Sequence, residues 1–116
     1  MTDSKLSTGQ VRRVGFRYED KPEVSKARPA VVVVLRNDDG HVLLAKITSH
    51  GPRKEFKGEI ALQDWQAAGL DHQSTVRCSK SIYAEAAEVP AAPLLGFLSQ
   101  RDLEEVEQGL HKAGFI

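Results

Sequence analysis

Arg28, Thr48 and Ser49 offer a guanidinium and two hydroxyls at positions that a single hairpin would bring together. Arg28 stands in "SKARPAVVVVL", directly before the most hydrophobic run of the chain, and Thr48 and Ser49 close "HVLLAKITS". Between the two runs lies "NDDG" at 37–40, a strong turn signal at hairpin spacing. Counting back from a turn at 38 and 39, position 28 opposes about 49, within a residue or two. A guanidinium, two hydroxyls and the adjoining His50 would then converge at one edge of a sheet. The guanidinium is a planar fork of donors that stays charged, and with hydroxyl donors it matches the shape and charge of a phosphodiester. Such a group can hold the extra negative charge of a pentacoordinate phosphorus without a metal. The plainer reading of the same residues is a strand-end arginine paired with an acid, beside a Thr-Ser turn.

Other chemistries find less support. The histidines are His41, His50, His72 and His111, and no pair has i, i+4 spacing next to an acid, so no metal or other cofactor is expected. Neither a phosphate-binding P-loop nor a GxSxG nucleophile motif is present. Cys78 is the only cysteine. It can form no intrachain disulfide, and in a strand it reads as a small buried hydrophobe. Trp65 could stack a base, but in "LQDWQAAGL" it reads first as an apolar anchor.

The chain around these residues reads mostly as strands. "QVRRVGFRY" (10–18) alternates in its later part, as a half-exposed strand does. "EDKPEVSKA" (19–27) reads as a charged loop, and "PAVVVVLR" (29–36) as a strand buried on both faces, with Pro29 suited to its first position. "HVLLAKIT" (41–48) is the return strand, and "SHGPRKE" (49–55) a basic loop. "FKGEIAL" (56–62) and "STVRCSKSIYA" (74–84) supply two further strands, five in all, and "LLGFL" (94–98) suggests a short additional one. "QDWQAAGL" (63–70) suggests a helical turn or two stopped by Gly69. "EAAEVPAAP" (85–93) is ambiguous, since its alanines favour helix and its prolines oppose it. Ser99 can cap a final helix whose stripe is Leu103, Val106 and Leu110. The acidic "DLEEVE" face beside that stripe reads as solvated. Five short strands with hairpin turns and a covering helix suggest a small closed or half-closed barrel.

The chain has 116 residues, which fits one domain: a frayed tail over 1–8 and a barrel over 9–116. Hydrophobic residues make up 41% and charged residues 28%, ordinary for a soluble protein. No apolar run approaches the ~20 residues of a membrane span, the N-terminus has no hydrophobic signal core, and a reducing cytoplasmic setting fits best. Net charge is zero, but residues 1–60 hold 12 Lys/Arg against 8 Asp/Glu, and residues 61–116 hold 4 against 8. A polyanion would meet the first half.

The series "RPAVVVV", "LLAKITS", "STVRCSK" and "GFLSQRDLEEVEQGL", in this order and at these separations, resembles the PemK/MazF family of endoribonuclease toxins from type II toxin–antitoxin modules. "DWQAAGLDHQSTVR" resembles the stretch before the family's fourth strand. The resemblance implies a small SH3-like (CcdB/PemK-type) β-barrel with a C-terminal helix, mainly β with α. It implies a homodimer that cleaves single-stranded RNA without a metal and is neutralised by a cognate antitoxin. The ribose 2′-OH would attack its own phosphate, leaving a cyclic phosphate and a 5′-OH; only RNA has that nucleophile. By resemblance, Arg28 would bind the scissile phosphate and stabilise the transition state, Thr48 would orient the phosphate or the attacking hydroxyl, and Arg77 matches an arginine that some members use as the general acid. Ser49, His50, Ser79 and Lys80 would contact the substrate. Two positions depart from the pattern. Some members carry an acid where this chain has Ser79, and some a histidine in the loop matching "EDKPEVSKA". A catalytically weak relative, or a gyrase-binding toxin of the CcdB kind, is the alternative.

Overall fold

The computed structural model describes residues 6–17, 25–35, 40–49, 51 and 58–116. Among these, six strands precede one helix: β1 (Gln10–Arg17), β2 (Ser25–Val34), β3 (His41–Thr48), β4 (Glu59–Ala61), β5 (Thr75–Glu85), β6 (Leu94–Phe97) and α1 (Gln100–Lys112). All pair antiparallel in one sheet of spatial order β4-β5-β3-β2-β1-β6.

The valine run behaves as its composition requires. Val31 and Val33 of β2 join Leu43, Ala45 and Ile47 of β3 in the main core, which also takes Val106 and Leu110 of α1. The alternate residues Ala30, Val32, Val42 and Leu44 form a second cluster on the other face, against Val14, Phe16, Ala84 and Val89. A strand buried on both sides has no polar face to show, so its sequence is a continuous apolar run. The second face is covered by the segment after β5. Its ambiguous "EAAEVPAAP" becomes a single 3-10 turn, Val89–Ala91, with Pro90 at its start. Arg12, 1% exposed, ties this segment to the sheet, donating from Nη1 to the Ala92 carbonyl at 2.8 Å and from Nε to Gln10 Oε1 at 2.9 Å.

Several elements differ from the sequence-based expectation. β2 begins at Ser25, four residues early, because β1 pairs with it as far as Arg17↔Ser25. The expected strand at 56–62 is only Glu59–Ala61, and residues 52–57 lie outside the described set. Residues 6–8 of the expected tail are engaged: the Val34 N–H donates to Thr8 Oγ1 at 2.9 Å, and Leu6 packs on the second cluster.

The expected helix at 63–70 is one turn. The Gly69 N–H reaches the Gln66 carbonyl and the Leu70 N–H the Trp65 carbonyl, each at 3.1 Å. This pair of bonds closes a helical turn through a left-handed residue, and Gly69 has φ +85°. The turn then meets β6 backbone to backbone. A Cβ on Gly69 would lie 2.1 Å from the Leu95 carbonyl oxygen, and one on Gly96 would lie 2.5 Å from that of Ala68. Since β4 and β6 are the two edges of the sheet, a turn that follows β4 and touches β6 requires the sheet to curl. The result is a half-barrel with α1 against it.

Ser99 caps α1, accepting from the Asp102 N–H. Asp102 itself corrects the reading of "DLEEVE" as wholly solvated. It is fully buried and accepts from the Gln63 and Asp64 N–H groups at 3.0 and 2.8 Å, so it docks the helix onto the start of the 63–70 turn. Gly109 lies where a Cβ would come within 2.8 Å of Cys78 Sγ, which keeps α1 close to β5. No helix among the described residues is long and apolar enough to cross a membrane.

Candidate active site

The β2–β3 ladder runs from Val34↔Val42 to Ala30↔Lys46 and, among the described residues, no further. Past that point the two strands keep only their outer partners. Arg28 pairs with Val14 on β1, while Ile47 and Thr48 pair with Val76 and Thr75 on β5. The sheet therefore opens into a wedge. Carried two residues on, the ladder would place Arg28 level with Thr48, one residue from the sequence-based estimate of 49. Arg28 is thus not at a strand end: it sits within β2, held by β1 on one side and facing the wedge on the other.

A cleft of about 230 Å³ occupies this wedge. Arg28, Thr48 and Ser49 line it, together with Arg13 of β1 and with Asp71 and His72 from the loop before β5. Arg28 and Thr48 are half-buried and the other four are exposed, so the cleft presents two guanidiniums and two hydroxyls to solvent. Its floor is Ile47, Leu70 and Pro29. The loop that forms its far wall is fastened at both ends. Leu70 is held by the bond to Trp65, and Ser74 accepts from the Leu62 N–H at 2.9 Å while its hydroxyl donates to the His72 carbonyl at 2.7 Å.

The remaining sequence candidates fall elsewhere. Arg77 does not line the cleft. It lies level with Lys46 on β3 and Glu59 on β4, and its Nε donates to Glu59 Oε2 at 2.9 Å. The Glu59 side chain is 1% exposed and that of Arg77 20%, so this is a largely buried ion pair. Ser79 and Lys80 are exposed farther along β5, away from the cleft. His50 lies outside the described residues. Lys46 stands over the Phe16 ring, 4.7 Å from its centroid.

Sequence reasoning did not select Arg13, Asp71 or His72. Arg13 could have been found, because the strand at 10–18 was expected and Pro29 is its partner across the β1–β2 ladder. The Asp71–His72 loop carried no local signal. It reaches the cleft through the Gly69 turn, a tertiary contact.

Cys78 is buried and its thiol is pushed up to about 12 by desolvation, which removes it as a nucleophile at neutral pH. Among the described residues no group of three His, Cys, Asp or Glu side chains could hold a metal ion.

The model of the "PemK-like, MazF-like toxin of type II toxin-antitoxin system" family matches residues 7–113. No curated relative matches the chain by sequence. Among solved structures, the chain is similar to an endoribonuclease from a mycobacterial species, with TM-score 0.67 and 15% identity over 93% of this chain and 89% of that one. It is similar to a MazE–MazF complex from Deinococcus radiodurans, with TM-score 0.67 and 17% identity over 92% and 94%. The Mycobacterium tuberculosis toxin MazF-mt6 gives TM-score 0.60 and 17% identity over 91% and 94%. At these identities the structural likenesses show the fold.

Proposed function

We propose, from the premise that this chain belongs to the PemK-like, MazF-like toxins of type II toxin–antitoxin systems, that it cleaves single-stranded RNA without a metal. The observation that carries this reading is the wedge between β2 and β3, where Arg28 and Thr48 line one cleft. RNA supplies its own nucleophile. As the ribose 2′-oxygen attacks the adjacent phosphorus, the P–O5′ bond breaks, leaving a 2′,3′-cyclic phosphate and a 5′-OH. The phosphorane gains negative charge on its non-bridging oxygens. Arg28 meets that charge with a fixed planar donor, and Thr48 and Ser49 add hydroxyl donors. Arg13 provides a second guanidinium for the backbone of a neighbouring nucleotide.

Arg77 takes a supporting role in this account. Its bond to buried Glu59 holds β4 on β5. Ser79 and Lys80 are exposed on β5 outside the cleft, so in this reading they would contact RNA only beyond the scissile phosphate.

Partners follow the same premise. A cognate antitoxin would inhibit by placing acidic residues over Arg28, and the chain would act as a cytoplasmic homodimer. The surface suits protein contact: Val34, Tyr83 and Ile116 are exposed apolar residues around a groove of about 1030 Å³.

The test is incubation with single-stranded RNA in excess EDTA, followed by end-group analysis. Cyclic phosphate and 5′-OH ends are expected, with loss of cleavage in Arg28→Ala and Thr48→Ala. RNA left intact at high protein concentration would overturn the reading, and gyrase inhibition without RNA cleavage would select a CcdB-like binder instead.

A further inference from the structure

The proposed reaction needs a proton taken from the 2′-OH and one given to the departing 5′-oxygen. Few of the described residues lining the cleft can do either near neutral pH. Arginine holds its proton too tightly, so Arg13 and Arg28 bind charge but exchange no proton. The Thr48, Ser49 and Ser74 hydroxyls are too weakly basic to take one unaided. Two candidates remain, Asp71 and His72. Both are exposed, and both sit on the wall of the cleft formed by the loop before β5.

We infer that His72 is the proton-transfer residue of this site; the inference rests on the endoribonuclease reading above. Three observations favour it. His72 lines the same cleft as Arg28 and Thr48. Its backbone carbonyl accepts the Ser74 hydroxyl, and the loop is pinned at Leu70 and Ser74, so the imidazole starts from a fixed backbone. Imidazole is also the side chain best matched to general acid–base work near neutrality.

In the step itself, neutral His72 takes the proton from the 2′-OH as O2′ bonds to phosphorus and the P–O5′ bond breaks. The 5′-oxygen takes a proton from solvent water, and the imidazolium returns its own to the hydroxide so formed. The charged groups facing His72 in the cleft are Arg13 from β1, Arg28 from β2 and Asp71 from its own loop.

The experiment compares wild type, His72→Gln, His72→Ala and Asp71→Asn on one RNA across pH 5 to 9, with EDTA present. Binding of the same RNA carrying a 2′-deoxy group at the cleavage site is measured alongside. His72→Gln is expected to slow cleavage by roughly 10²–10⁴-fold with unchanged binding, and to lose the rise in rate with pH that wild type shows through the imidazole range. Added imidazole is expected to restore part of the His72→Ala rate. Cleavage by His72→Gln within about threefold of wild type would overturn the inference while leaving the endoribonuclease reading intact. Equal loss in binding and rate would do the same, by making His72 a binding group only. A loss confined to Asp71→Asn would assign the proton to Asp71 and also overturn it. If wild type itself leaves the RNA whole, the reading falls and the inference with it.

Discussion

Replacing Asp102 should destabilise the protein more than replacing any other acid of α1, although the sequence gives no sign of it. Its carboxylate is fully buried and accepts two backbone N–H groups, from Gln63 at 3.0 Å and Asp64 at 2.8 Å. A hydrogen bond to a charged group contributes about 1.5–3 kcal/mol, so Asp102→Ala should lose about 3–5 kcal/mol, allowing for the partial exposure of the donors. For a domain of this size that corresponds to a fall in melting temperature of roughly 10–20 °C. Asp102→Asn keeps one acceptor but turns an amide donor toward an N–H, so about 2–3 kcal/mol should go. Glu104→Ala and Glu105→Ala, exposed on the same helix, should stay within about 0.5 kcal/mol of wild type. Urea unfolding at neutral pH, with an unchanged denaturant slope, is the assay. If Asp102→Ala unfolds at the same urea concentration as Glu104→Ala, α1 is not docked through this carboxylate and the account of the 63–70 turn is wrong.

Gly69→Ala should cost about 2–5 kcal/mol, combining a left-handed backbone with the clash against the Leu95 carbonyl, whereas Gly96→Ala should show the clash alone, about 1–3 kcal/mol; thermal melts of both rank them. Arg77→Ala should lose about 3 kcal/mol by leaving buried Glu59 without this guanidinium, and Arg77→Ala with Glu59→Gln should recover part of it; a large loss of RNA cleavage at full stability would instead give Arg77 a catalytic role. Asp64 is held near pKa 2, below its ordinary 3.8, chiefly by the Arg101 guanidinium and then by the Ser99 hydroxyl. Its folded pKa lies below the unfolded one, so its contribution is complete above pH 3.8 and disappears as pH falls through about 2. Melting temperature measured over pH 5 to 2 should therefore fall less steeply in Asp64→Asn than in wild type.

What could be read from the residues followed how local the determining forces were. The β2–β3 hairpin was legible because both strands are buried on two faces and so appear as apolar runs. The helix was legible because Ser99 and the Leu103, Val106, Leu110 stripe are local signals. β2 was read as starting too late: "SKA" has no strand pattern of its own, and β1 recruits it by pairing. The 63–70 segment has helical composition, but it is cut to one turn by Gly69 and by the backbone of β6. The same distance limit applied at the site. Arg28, Thr48 and Ser49 could be brought together by counting across one hairpin. Arg13 needed a second ladder as well, and the Asp71–His72 wall needed the curl of the sheet. Asp102 looked like one charge among several on an acidic helix, because its acceptors' partners lie almost 40 residues away.

In the proposed reaction Arg28 and Thr48, which line one cleft at the β2–β3 wedge, act on one phosphate. A double-mutant cycle on the RNA cleavage rate measures whether they do. Arg28→Ala and Thr48→Ala should each slow cleavage by at least about 10²-fold, as expected for a donor aimed at transition-state charge. Because both serve the same phosphorane, the double variant should be little slower than the worse single one. Single losses that multiply in full, or an Arg28→Ala variant that cleaves at the wild-type rate, would contradict the account.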